Sequence, residues 1–308
     1  MNTSRPINTL LDEFLSEADC IESSKRTYRI SLGLWVEWMV KHGDLKSPTR
    51  AHLLMYREYL SRNGKSVATI SLYFAVLKLL FKWLSSKDIC NDISIGIHWR
   101  KKSIVHKRDS LSIDQVSQLL SSMQSVTLIQ ARNFAIVNLM ARAALRCTEV
   151  SKLDVGDLIK KDGRYTLRLQ RKGHKEKDES ICITDSIIDP INKYLSLRGA
   201  HLPGDPMFAR CGQCPGFRLS TITIGHVVTD AYSLIDIEGK TLSAHSLRHT
   251  AAECAMDSGA TIYEVQQLLG HRDLNTTMLY LSGFDRKGRE AANAINAIDE
   301  LYRSALKR

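Results

Sequence analysis

The sequence predicts a mainly α protein with a small β-hairpin or sheet, an α+β fold in two domains. Three observations lead there. Apolar residues recur at helical spacing through the first hundred positions, with no strand pattern among them. One pair of alternating segments, near 165 and 180, reads as paired strands, and helical spacing then returns to the end of the chain. The length of 308 residues suits two domains, and 44% apolar with 25% charged residues is ordinary for globular chains. Such a composition argues against a disordered or collagen-like chain.

The elements follow in order. A first helical piece covers 7–15. Tyr28, Leu32, Trp35, Val36 and Met39 mark a second helix, with Ser23 and Ser24 as candidate caps. Leu53, Leu54, Tyr56, Tyr59 and Leu60 mark a third, stopped by Asn63-Gly64, and a fourth begins near Ser66 and carries Ile70, Tyr73, Leu77, Leu80 and Trp83. These make a helical domain over 1–99. Residues 100–110 read as a basic linker, and 111–308 as the second domain. There Ser112 caps a helix running to Met123, and 127–145 is apolar nearly all round, as a buried helix is. Segments 165–169 and 180–184 alternate, with Lys172-Gly173 in the turn between them. Helices are predicted at 185–198, 220–234, 245–258 and 261–269. In the tail, 287–306, Ala291, Ile295, Ile298, Tyr302 and Ala305 form one apolar stripe.

Lys and Arg outnumber Asp and Glu by 43 to 33, a net charge of +10 shared by both domains. A moderately basic, well-mixed chain suits a polyanionic partner. Between 93 and 108 there is no acidic residue, while Arg100, Lys101, Lys102, Lys107 and Arg108 cluster. A run of this kind is either a solvated surface or a strap closing around a duplex. The seven cysteines, at 20, 90, 147, 182, 211, 214 and 254, do not form a disulfide framework and fit a reducing cytosol. The first residues lack the apolar core of a signal peptide. No apolar run reaches the ~18 residues of a membrane span; the longest, around 77–84, is broken by Lys78 and Lys82. A soluble cytoplasmic protein with no membrane partner is expected.

Several motifs fail. Gly64-Lys65-Ser66 looks like the end of a phosphate loop, but Tyr59 stands where the loop's first glycine belongs. Cys211 and Cys214 form a lone CxxC; His226 offers a third ligand but a fourth is not evident, so reduced loop thiols are the simpler reading and no metal site is expected. There is no HExxH and no nucleophile elbow.

One constellation does not fail. Arg146 directly follows a buried helix, and Glu149, three residues on, is placed to orient it as a two-pronged pair; a purely structural ion pair fits equally. Arg171, Lys172 and Lys175 surround a hairpin tip, either as cations reaching into a groove or as ordinary exposed turn residues. His245 and Arg248 open a helix three apart and so share a face. Gly270 reads as a helix C-cap, setting His271 just past the helix end. Tyr280 lies nine residues later in a short helical pattern. Together these segments supply two arginines, two histidines, a lysine and a hydroxyl nucleophile, an inventory suited to metal-free attack on a phosphodiester.

The ordered set resembles the tyrosine recombinase (phage integrase) family: R-x-x-E at Arg146 and Glu149, the hairpin lysine at Lys172, H-x-L-R-H at 245–249, L-G-H at 269–271 and T-T-x-x-Y at 276–280. The helical first domain resembles the family's core-binding domain, so the likeness covers nearly the whole chain. Family members often carry glycine where Ala144 and Arg171 stand, and Arg171 leaves Lys175 as a rival to Lys172. The resemblance implies that Tyr280 attacks the scissile phosphate to form a 3′-phosphotyrosyl bond. Arg146 and Arg248 would grip the nonbridging oxygens and His271 would donate to them. Lys172 would protonate the leaving 5′-oxygen, His245 would assist proton transfer at the nucleophile, and Glu149 would hold Arg146. Arg100, Lys101, Lys102, Lys107, Arg108, Arg171 and Lys175 are the candidate DNA contacts.

The same resemblance implies no cofactor, a double-stranded DNA partner carrying a specific recombination site, and a homotetramer. The stripe of the tail helix 287–306 would be buried either on its own catalytic domain or on a neighbour, and docking on a neighbour would join the tetramer. It allows for accessory DNA-bending proteins and for origin in a mobile genetic element. Two other readings share the fold or its chemistry: a type IB topoisomerase that relaxes DNA, and a DNA-binding regulator without catalysis.

Overall fold

The computed structural model describes residues 6–97, 109–171, 174–212, 216–237 and 241–280, with the backbone alone for Ser23, Leu279 and Tyr280. The chain divides into two compact units, Met1–Ser103 and Ile104–Arg308. The linker cations at 100–108 and the tail 287–306 lie outside the described residues.

The first unit is built from α1 (Ile7–Glu17), α2 (Glu22–His42), α3 (Arg50–Arg62) and α4 (Val67–Ser86). Ser23 and Ser24 fall inside α2, whose N-cap is Ile21 with no side-chain cap, so they do not act as the caps expected of them. The Thr49 hydroxyl caps α3 by accepting the His52 N–H, and the Thr49 N–H donates back to the His52 ring. Gly64, at φ 71°, carries the chain out of α3 in a left-handed turn. The Ser66 hydroxyl then starts α4 by accepting the Thr69 N–H. Leu10, Phe14, Leu32, Trp35, Met39, Leu53, Tyr56, Leu77, Leu80 and Phe81 fill the core. By length and composition α4 is sufficient to cross a membrane (20 residues, mean hydropathy 1.6), contrary to the reading of its lysines as a break. Its buried face, Phe74, Leu77, Phe81 and Leu84 among others, serves this core.

The second unit opens with α5 (Ile113–Ser122) and α6 (Leu128–Ala143), each started by a capping box, Ser112 with Gln115 and Thr127 with Gln130. α6 runs through the core, burying Ala135, Ile136, Val137, Leu139 and Met140. Its buried polar side chains are partnered: Arg132 donates to Ala209 O at 3.0 Å, and Asn138 Nδ2 to Ser186 O at 2.7 Å. The second bond has a cause in sequence. Pro190 sits inside α8 (Asp185–Arg198) without an N–H, so the carbonyl four residues earlier loses its helical donor and Asn138 replaces it.

After α7 (Cys147–Ser151), strands β1 (Leu158–Lys161), β2 (Arg164–Leu169) and β3 (Glu179–Ile183) form an antiparallel sheet in the order β1-β2-β3. Leu167 pairs with Leu158 on one side and Ile181 on the other. The predicted pair is β2 and β3; β1 is four residues long, ends in two lysines, and gives no alternation to read. Helices α9 (Thr221–Tyr232), α10 (Ala244–Asp257), α11 (Ile262–Leu269) and α12 (Leu274–Tyr280) follow among the described residues. The end of α6, the start of α7, the root of β2, the start of α10 and the end of α11 converge on one place.

Candidate active site

Ala144 ends α6 in a left-handed conformation, φ 53°. That turn brings Arg146 to the N-cap of α7. Glu149, 1% exposed, accepts the Arg146 backbone N–H on Oε2 at 2.9 Å and the guanidinium Nη1 on Oε1 at 2.8 Å. The pair is therefore not the two-pronged fork that the spacing suggests. One oxygen fixes the backbone and the other the side chain, so Glu149 sets where Arg146 starts and where it ends.

Arg248 projects from α10 and is wholly buried. Nη1 donates to Ala144 O at 2.6 Å, and Nη2 donates to Leu269 O. Glu149 Oε2 lies 3.8 Å from Nη1. His245, one turn earlier, is half-buried, and its ring packs edge-on against His249 with centroids 5.1 Å apart. Arg248 turns inward to meet the ends of α6 and α11, and the charges of both Arg248 and His245 act on His271.

Gly270 caps α11 at φ 56° and delivers His271 beside Arg248. Gln266 holds that turn from both sides: its carbonyl accepts the His271 N–H at 3.2 Å, and its Nε2 donates to His271 O at 2.9 Å. Arg248 Nη2 lies 3.2 Å from His271 Nε2. A guanidinium only donates, so Nε2 accepts and the ring proton sits on Nδ1, which donates to Thr277 Oγ1 at 3.0 Å. Burial, and then the charges of Arg248, Arg146, His245 and Arg171, hold the His271 pKa down to about 4.

Arg171 departs from expectation. It is 2% exposed and not at a DNA-facing tip. Nε donates to Glu179 Oε2 at 3.0 Å, Nη1 to Glu149 Oε2 at 3.3 Å and Nη2 to Leu268 O at 3.3 Å. A pair of carboxylates on neighbouring elements draws this guanidinium inward. Lys175 is exposed on the β2–β3 connection, and its carbonyl accepts from Gln170 Nε2 at 2.9 Å. Further along the same connection, Lys177 bonds Asp154 at 2.6 Å and also the buried Asp157. Arg272, next to His271, donates to His174 Nε2 at 2.8 Å. Lys172 lies outside the described residues, as do Arg100, Lys101, Lys102, Lys107 and Arg108. Tyr280 closes α12, and its side chain lies outside what the structure describes.

The cluster so formed holds Arg146, Arg171 and Arg248 against the carboxylates of Glu149 and Glu179, with His271 neutral. It carries surplus positive charge and sets a guanidinium nitrogen of Arg248 3.2 Å from an imidazole nitrogen of His271, cationic and hydrogen-bonding groups of the kind that stabilise an oxyanion. Sequence reading left out of the site four groups that organise it: Thr277, which fixes the His271 ring; Gln266, which fixes its backbone; and the Ala144 and Leu269 carbonyls. Thr277 was legible as part of T-T-x-x-Y; the carbonyls carry no side-chain signal. Cys211 is half-buried near Arg132 Nη1, at 3.5 Å, and Cys214 lies outside the described residues.

A model of the phage integrase family matches residues 109–286. The tyrosine recombinase XerD of Vibrio cholerae is 26% identical over 279 residues, covering 89% of this chain and 90% of the relative. That of Haemophilus influenzae is 28% identical over 287 residues, covering 89% and 92%. Among solved structures, the chain is similar to the XerH site-specific recombinase bound to palindromic difH substrate in a post-cleavage complex. The TM-score is 0.67 and the identity 23%, with coverage of 87% of this chain and 78% of that one. It is also similar to a lambda integrase tetramer bound to a Holliday junction, at TM-score 0.70 and 15% identity, covering 91% and 78%. These structural likenesses carry the fold, a mainly helical chain with a small antiparallel sheet.

Proposed function

The chain belongs to the phage integrase family, and from that premise we propose that it is a site-specific tyrosine recombinase, cutting and rejoining DNA through a covalent 3′-phosphotyrosyl intermediate. The observation that carries the reading is the convergence of Arg146 and Arg248, from α7 and α10, on one buried carboxylate, with His271 from the end of α11 set against Arg248. A phosphodiester is a single anion whose nonbridging oxygens gain charge as a fifth oxygen approaches phosphorus. Guanidinium and imidazole donors fixed beforehand stabilise that gain without reorganising, and losing one such donor typically costs ~10²–10³ in rate.

In this reaction the Tyr280 oxygen bonds to phosphorus and the bond to the 5′-oxygen breaks. His245 takes the phenolic proton and Lys172 gives one to the departing 5′-oxygen, so charge does not accumulate at either end. The phosphotyrosyl bond keeps the energy of the broken strand, and a 5′-hydroxyl from a second duplex reverses the step. Arg146 and Arg248 hold the phosphate, and His271 donates to it from Nε2. In the DNA-free protein that nitrogen accepts from Arg248; a phosphate anion in the site favours the protonated ring and turns the acceptor into a donor. The helical first unit and the cations of 100–108 would hold duplex DNA, and the tail 287–306 would dock on a neighbouring copy to join the sites as a tetramer. The work is done on DNA in the cytoplasm. Integration of a mobile element is one use of this chemistry, which does not depend on which two sites are joined.

The test uses a duplex selected by the protein from a randomised pool, nicked near the cleavage point so that the short fragment escapes and the covalent product is trapped. The wild type gives a detergent-resistant protein–DNA adduct at the same rate with and without EDTA. Tyr280→Phe binds the duplex equally well and gives none. An adduct with Tyr280→Phe overturns the proposal.

A further inference from the structure

We propose that Arg171 is a positioning residue of this active site, one buried guanidinium that sets the Glu149 carboxylate and the turn at 268–271 in a single arrangement. The inference rests on the recombinase reading and goes beyond it. Arg171 spends each of its three nitrogens on a different element: Nε on Glu179 of β3, Nη1 on Glu149 of α7 and Nη2 on the Leu268 carbonyl of α11. A lysine has one nitrogen and cannot span the three. Glu149 is thereby shared. The carboxylate that fixes Arg146 at 2.8 Å also meets Arg171 at 3.3 Å, so a shift of Arg171 is transmitted to Arg146.

The second contact is steric. Gly270, which caps α11 and precedes His271, lies flat against Arg171: a Cβ there would stand 2.6 Å from Nε and 2.8 Å from Cζ. Glycine at 270 is required twice, by its φ of 56° and by the guanidinium packed on it. Arg171 therefore supports from below the turn that presents His271. It is also the chain neighbour of Lys172. Two groups assigned to the phosphate, Arg146 and His271, thus trace to one buried side chain. Its charge also acts on His271, adding to the burial and the cations that keep that ring neutral.

The experiment compares wild type, Arg171→Gln, Arg171→Lys and Gly270→Ala on the nicked duplex, measuring DNA affinity, single-turnover adduct formation and the His271 titration by NMR in free protein. In Arg171→Gln, affinity is kept while the adduct rate falls by about 10²-fold, the scale expected when reacting groups are misplaced by about 1 Å. Arg171→Lys recovers only part of that rate. Gly270→Ala also lowers the rate, through its φ as well as through the contact, and the double variant with Arg171→Gln loses less than the product of the two single losses, because the contact is lost only once. The His271 midpoint rises in Arg171→Gln and rises less in Arg171→Lys. A residue needed only for stability would lower the melting temperature and leave the rate and the midpoint where they were in the folded protein, and that result overturns the proposal. If Arg171→Gln does not fold, a wild-type rate in Arg171→Lys does the same. Should wild type itself form no adduct, the recombinase reading has failed. The titration, which needs no DNA, then decides the Arg171 geometry by itself.

Discussion

Replacing Glu149 by glutamine removes one charge from beneath three guanidiniums and changes the shape of the side chain very little. Glu149 is 1% exposed and lies 2.8 Å from Arg146, 3.3 Å from Arg171 and 3.8 Å from Arg248. Its Oε2 also accepts the Arg146 N–H at 2.9 Å. An amide keeps one accepting oxygen and turns its NH2 toward groups that only donate, so at least one of these contacts becomes repulsive. Breaking a buried ion pair by removing one partner costs about 3–5 kcal/mol. The lower end applies here, because Arg171 keeps Glu179 at 3.0 Å and Arg248 keeps two carbonyls. About 3 kcal/mol is roughly a 10²-fold loss in the folded ratio. Hydrogen exchange read peptide by peptide measures it: protection in α6 and α10 should fall by that factor, while α2 and α4 stay unchanged. The chain offers an internal control, since all four tryptophans, at 35, 38, 83 and 99, fall in the first unit. Tryptophan fluorescence in denaturant should not shift. Unchanged protection in α6 and α10 would refute the reasoning, and an equal loss in both units would show that the charge is not balanced locally.

Three further outcomes follow from the geometry. Asn138→Ala leaves Ser186 O without the donor that Pro190 already denies it, at a cost of about 1–3 kcal/mol by denaturant titration; Pro190→Ala in that background should recover part of the loss, and no recovery would discount the account. In the DNA-free protein His271 should titrate near its depressed value of about 4 and shift upward when duplex DNA is added. Because its folded pKa lies below the unfolded value, stability contributed at neutral pH falls as pH drops from 6.5 toward 4. The slope is at most about 1.4 kcal/mol per pH unit, and a wild-type minus His271→Asn difference that stays flat over that range contradicts it. DNA affinity should fall linearly on a log–log plot against salt, as released counterions require, and a flat response removes the phosphate contacts.

Long periodic segments were the easiest part to read. The helices of the first unit and α6 follow from apolar spacing, and Ser66, Ser112 and Gly270 mark ends by local chemistry that needs no tertiary context. The strand β1 was hidden because four residues give no period to measure. Ser23 and Ser24 misled for a related reason: a serine near a helix start is a cap only if the backbone turns there, and α2 begins earlier, at Glu22. At the site, the ordered motifs identified Arg146, Arg248 and His271, but spacing says nothing about depth. Arg171 and Lys175 look alike in the sequence, two cations beside a hairpin turn. One is buried and the other exposed, since only Arg171 has Glu149 and Glu179 within reach, and that proximity is created by the fold.

The burial of Arg248 raises the question of what balances its charge. Glu149, at 3.8 Å, is farther from it than from either of the other two guanidiniums. Its closest partners are backbone, Ala144 O and Leu269 O. Both belong to helix C-termini, and both helices end in a left-handed residue, Ala144 at φ 53° and Gly270 at φ 56°. Such endings turn the last carbonyls away from the helix and leave them free to accept. Each helix end also carries a partial charge of about −0.5, so two of them supply roughly one negative charge. Partial charge from backbone differs from a second carboxylate in two ways. It cannot rotate away, and it leaves the formal charge of the cluster positive, so an anion is still drawn in. The donors that would meet a phosphate are thus set in place by main chain before it arrives. Two residues with no functional side chain, an alanine and a leucine, therefore stand at the centre of the site and serve it through their carbonyls, a role that the L-G-H motif containing Leu269 does not reveal.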